Sequence, residues 1–156
     1  MGYYVRTFCK TENIHPLKEA IDYAKAKGAN LKVPEETDIE SIPWKEAELH
    51  YKEGKGPIIV ECNIDDGSDD CLVKQECQEF IEEIGSPGIS FSKRKVISHL
   101  KQTKFIITCQ LLSDIDDDGY DANGEFLRFF MENCDGIIQA DGEGFYKGNK
   151  LIVKLD

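Results

Sequence analysis

Twice along its length this sequence runs through the same series of patterns, and that echo constrains the fold more than any single motif does. YYVRTFC (residues 3–9) alternates among β-forming residues, and it leads into Leu17, Ala20, Ile21 and Ala24 at helical spacing, closed by Gly28. An extended stretch and a hairpin pattern follow: Ala47, Leu49 and Tyr51 alternate with Glu46, Glu48, His50 and Lys52, and the EGKG turn leads into PIIVECNI. From 104 the order returns with the β-branched run KFIITCQLL. A helical stripe of Phe126, Leu127, Phe130, Met131 and Cys134 is then closed by Gly136, and IIQADGEGFY turns at KGN into KLIVKL. Each unit reads as strand, helix and hairpin.

Two further helices are expected between the units. Val73, Cys77, Phe80, Ile81 and Ile84 form one stripe that Asp69 or Asp70 is placed to cap, and a shorter helix from Ser92 to about Gln102 carries Val96, Ile97 and Leu100. The polar stretch EETDIESIP reads as a connecting loop. At 156 residues with 40% hydrophobic side chains, the chain is long enough to bury a core as a single domain spanning 1–156. Two β-α-β-β units joined by helices predict an α+β domain, a mainly antiparallel sheet with its helices on one face, in a ferredoxin-like or duplicated β-α-β-β arrangement.

Six cysteines (Cys9, Cys62, Cys71, Cys77, Cys109 and Cys134) fall mostly inside apolar patterns and form no C-x-x-C pair, so free, buried thiols are expected rather than zinc ligands or bridges. No apolar stretch reaches bilayer-spanning length and no secretory pattern opens the chain, so a cytoplasmic protein without a membrane partner is expected. A pI near 4.7 with only three arginines argues against nucleic acid as a ligand, because phosphate neutralisation needs a concentrated basic surface.

The formal net charge of -11 is concentrated. Residues 61–70 hold five acids and no base, residues 114–125 hold six acids and no base, and residues 85–113 carry Lys93, Arg94, Lys95, Lys101 and Lys104 with no acid. Each acidic segment follows an apolar strand and precedes a helix, so parallel strands would bring both to one edge as a single acidic pole. Aspartates cap helices and favour turns, which accounts for one or two acids per loop; the surplus repels itself and asks for a cation or a basic partner. The leading expectation is a non-enzymatic binding or accessory module, of the inhibitor or immunity type, that presents Asp65, Asp66, Asp69, Asp70, Asp117 and Asp121 to a basic protein.

A second reading starts from DIDDDGYDANGE, in which Asp114, Asp116 and Asp118 occupy positions 1, 3 and 5, Gly119 position 6 and Glu125 position 12. This stretch resembles the EF-hand calcium loop. The resemblance implies calcium as a ligand, held by Asp114, Asp116 and Asp118, by the carbonyl of Tyr120 and by Glu125. A third reading is a hydrolase that uses a carboxylate-bound divalent ion at the same edge. His15, His50 and His99 are scattered and read as surface or packing residues, and no phosphate-binding or nucleophile-elbow motif is present, so no catalytic residue is assigned.

Overall fold

The computed structural model describes residues 2–156. In chain order its elements are β1 (Tyr3–Cys9), α1 (Leu17–Ala26), β2 (Glu46–Leu49), β3 (Ile58–Ile64), α2 (Leu72–Ile84), α3 (Phe91–Lys101), β4 (Phe105–Leu111), α4 (Asp117–Asn133), β5 (Gly136–Ala140), β6 (Gly144–Lys147) and β7 (Lys150–Lys154). The strands form one seven-stranded sheet in the order β2-β3-β4-β1-β5-β6-β7, antiparallel at every neighbouring pair. The fold is therefore α+β with an antiparallel sheet. Its two units interleave: β4 lies between β1 and β3 of the first, and β1 lies between β4 and β5 of the second. Within the fold β1-α1-β3 and β4-α4-β5 are two β-α-β units whose strands lie in the order β3-β4-β1-β5; β2 extends the β3 edge, β6 and β7 extend the β5 edge, and α2 and α3 are inserted between the units.

The helices cover both faces of the sheet, not one. On the first face α1 and α4 pack on Val5, Cys9, Val60, Cys62, Phe105, Ile107 and Cys109; on the second, α2 and α3 pack on Phe8, Ile106, Ile137, Phe145 and Val153. The reason lies in β4, where residues 105–109 are buried without a break. Ile106 on one face is as fully buried as Phe105 and Ile107 on the other, so this stretch needs cover on both sides. The α1 stripe of Leu17, Ala20, Ile21 and Ala24 is entirely buried and faces α4, whose Phe126, Phe129 and Phe130 meet in T-shaped pairs with centroids 5.2 and 5.4 Å apart.

The end of the chain, expected as one hairpin, is a three-stranded meander, because the Asp141–Glu143 segment is itself a turn into β6. Gly144 makes this turn possible: its φ is +132°, and a Cβ there would lie 2.0 Å from the Val153 carbonyl oxygen. Among the described residues no helix is long and apolar enough to cross a membrane.

One buried contact ties the second layer to the sheet and carries a pH dependence. His99 of α3 is buried, and its Nε2 lies 2.8 Å from the Phe8 carbonyl oxygen; since a carbonyl only accepts, the neutral ring donates from Nε2. Burial, with Lys10 and Lys147 nearby, holds this imidazole below the ordinary histidine range despite the hydrogen bond and Asp135. A folded-state pKa below the unfolded one means that the stabilisation is present above the unfolded value and is lost as pH falls through the folded one. Between about pH 7.5 and about pH 5 the thermal midpoint is expected to drop more in the native protein than in His99→Gln. Equal drops in the two proteins would remove His99 as the cause.

Candidate functional site

The antiparallel pairing of β3 with β4 decides where the acids go. Ile64 at the end of β3 pairs with Phe105 at the start of β4, and Asp65 N–H donates to the Lys104 carbonyl at 2.8 Å. Residues 65–70 therefore leave one end of the sheet and residues 112–116 the other. The single acidic pole expected from parallel strands does not form, so Asp117 and Asp121 do not share a surface with Asp65, Asp66, Asp69 and Asp70.

The two acidic segments also differ in how their charge is used. At the α4 end most of the acids are engaged within the protein. Asp116 is the N-cap and accepts from Gly119 N–H at 3.1 Å, and Asp114 Oδ2 accepts from Gly56 N–H at 2.9 Å. Lys52 bridges Asp116 and Asp118 at 2.7 and 2.6 Å, and Lys55 donates to the Asp114 carbonyl. The paired ammonium holds the Asp116 carboxyl below its usual range. Asp117 and Asp121 lie exposed on the first turns of α4.

The loop that the calcium resemblance requires is not formed. Helix α4 begins at Asp117, so positions 4 to 12 of the proposed loop are helical and cannot wrap a cation. Asp114, Asp116, Asp118 and Glu125 do not gather: among the described residues the one group of three whose ligand atoms lie within 4.8 Å of one another is Asp65, Asp66 and Cys71. Tyr120 is an exposed helical side chain, and Glu125 faces Arg128 at 3.9 Å. Capping wins locally because Asp116 satisfies an amide that the helix N-terminus would otherwise leave without a partner.

The α2 end is different. Its N-cap is Cys71, without a side-chain hydrogen bond, so Asp69 and Asp70 do not cap the helix as expected. Asp65 and Asp66 accept only from the turn itself, from Gly67, Ser68 and the Cys71 thiol. Residues 65–83 contain eight acids and one base, Lys74. Among the described residues no cation pairs with Asp65, Asp66, Asp69, Asp70, Glu79, Glu82 or Glu83.

Beside α2 one face of the sheet carries a polar row that crosses five strands, exposed at Glu46 and Glu61 and buried at Thr108 and Gln139. Glu46 of β2 pairs with Glu61 of β3, Glu61 with Thr108 of β4, Thr108 with Arg6 of β1, and Arg6 with Gln139 of β5. Two residues further along, the same face is apolar, with Ile106, Phe8 and Ile137 in register beneath the helices. Above the row lies a cavity of about 230 Å³ lined by Arg6, Glu61, Asn63, Glu76, Thr108 and Gln110, with Tyr4, Ile59 and Leu72 as its apolar walls.

Arg6 organises this basin. Its Nη1 donates to Gln139 Oε1 at 2.7 Å and to Asp141 Oδ1 at 2.9 Å, its Nε is 3.7 Å from Glu76 Oε1, and its guanidinium lies over the Tyr4 and Phe80 rings. Burial pushes Asp141 up, but hydrogen bonds from Gln139 and Arg6 outweigh it and hold that carboxyl low. Burial of Glu76 wins over Arg6 and pushes its carboxyl up. Glu76 Oε2 and Thr108 Oγ1 are buried without a hydrogen-bond partner.

The sequence reading found the loop acids but not this row, since register across strands is not written in one strand. The available signal was a charged residue, Arg6, amid β-formers, with Thr108 and Gln110 alternating inside an otherwise apolar run. Comparison of the chain with protein-family models, curated proteins and solved structures finds no match.

Proposed function

We propose that this protein is a non-enzymatic binding module that presents one acidic surface, built from the 65–70 loop, α2 and the adjoining sheet row, to a basic protein partner in the cytoplasm. The observation that carries the reading is the contrast between the two acidic segments. At the α4 end capping and lysines absorb most of the charge, whereas at the α2 end seven of the eight acids pair with no cation among the described residues and none of the loop carboxylates is spent on a cap. Like charges held this close repel one another unless a cationic surface covers them, and such a surface also speeds encounter.

Capture from the native cell extract tests this with three baits: the unaltered protein, the variant Asp66→Asn/Asp69→Asn/Asp70→Asn/Glu79→Gln/Glu82→Gln, and the control Asp117→Asn/Asp121→Asn. A basic partner retained by the first and third, and weakened at least about tenfold for the second, is the expected result, with affinity falling as salt rises. A partner retained equally by all three baits would sink the proposal.

A further inference from the structure

We propose that the sheet basin receives a lysine or arginine side chain of the partner, with its cationic head between Glu61 and Glu76 and hydrogen-bonded to Thr108 Oγ1 and Glu76 Oε2. This rests on the reading above and specifies what the partner must carry.

Charge selects the class of ligand. Glu46 and Glu61 stand directly opposite each other on neighbouring strands, an unfavourable pairing, and Glu76 overhangs the same row from α2. The one base, Arg6, directs Nη1 to Asp141 and Gln139 and keeps Nε, which has no hydrogen-bond partner, 3.7 Å from Glu76, so the carboxylates of Glu61 and Glu76 outnumber it in the basin. The three glutamates do not gather within 4.8 Å as a metal cage would require, and this spacing suits an organic cation better than a bare ion.

The atoms left over select the mode of binding. Thr108 is 7% exposed and lines the cavity, yet its hydroxyl has no partner, and neither has Glu76 Oε2. Buried polar atoms are nearly always satisfied, and one donor group with several N–H bonds placed between them would satisfy both. Tyr4, Ile59 and Leu72 supply apolar walls for an aliphatic stem, and Leu72 is 46% exposed at the rim.

The test is an amide-resolved NMR titration of the full chain with Nα-acetyl-lysine methylamide, Nα-acetyl-arginine methylamide and the side-chain-acetylated lysine analogue, which has no charge. Saturable shifts at Arg6, Glu61, Glu76 and Thr108 are expected from the two cationic amides and not from the neutral one. Affinity should fall about tenfold in Thr108→Val and in Glu76→Gln. Thr108→Val conserves shape and is expected to melt no lower than the native protein, which keeps the result interpretable if Glu76→Gln folds poorly.

Equal response to the neutral analogue, or unchanged affinity in Thr108→Val, overturns the basin proposal. A lysine–glycine octapeptide separates this failure from that of the broader reading. Binding that is lost in Asp66→Asn/Asp69→Asn/Asp70→Asn but persists in Thr108→Val and Glu76→Gln overturns the basin alone. No octapeptide binding at low salt overturns both.

Discussion

Phe8→Ala is expected to lower the unfolding free energy by about 4 kcal/mol, as large-to-small changes at a fully enclosed aromatic do. Phe8 has no exposed surface and sits on β1, the central strand of the seven. Its ring meets Phe80 of α2 edge-on at 5.7 Å and Phe145 of β6 at 5.9 Å, and those two rings close the triangle at 5.6 Å. The Phe8 carbonyl also holds His99 of α3. One side chain thus joins sheet, α2 and the terminal meander, and a cavity there cannot be refilled without moving several elements. Urea denaturation measures the loss; a change below about 1.5 kcal/mol would mean that the second layer collapses around the gap.

Arg6→Ala is expected to cost about 3 kcal/mol, the lower end of the range for removing one partner of a buried ion pair. The lower end applies because the Asp141 side chain keeps 38% exposure and water screens it in part, while the Glu76 side chain keeps 20%. The loss arises less from broken attraction than from what remains: Gln139 without its donor, Glu76 without a nearby cation, and two aromatic rings without the planar group stacked on them. A double-mutant cycle makes the point quantitative. In an Asp141→Asn background the same substitution should cost measurably less, and additive costs would show that Arg6 acts by packing alone. Arg6→Lys should recover only part of the stability, since an ammonium cannot reproduce the fork that reaches Gln139 and Asp141 together.

Periodicity alone located the helices and most strands, because a buried stripe repeats along one element and can be read in one dimension. The Val73-to-Ile84 and Phe126-to-Phe130 stripes lie on α2 and α4, and the six thiols are free and buried. Relations between elements were harder to read. Parallel strands were assumed for β3 and β4, yet two helices separate them. The first carries the chain away and the second returns it to the end where it left, so that Asp65 meets Lys104 and the strands run antiparallel. The unbroken burial of β4 was legible as an apolar run and implied cover on both faces, which a one-face arrangement does not provide. The acidic string at 114–125 matched residue types without matching conformation, since a strand ends just before it and a capped helix starts inside it. The loop half of the candidate surface followed from composition. The sheet half, Glu46 to Gln139, exists only through register.

The six cysteines tie the protein's covalent chemistry to its folding. All are buried, and burial pushes the thiols of Cys62 and Cys77 up to about 12, with Cys9 and Cys109 held high as well. The thiolate is the reactive form, so these four sulfurs are both shielded and chemically quiet while the layers stay closed. An electrophile or oxidant that does modify one leaves a group too large to fit back beneath the helices. Modification of any of these four sulfurs therefore requires the layers to open first, and its rate reads out how often they do.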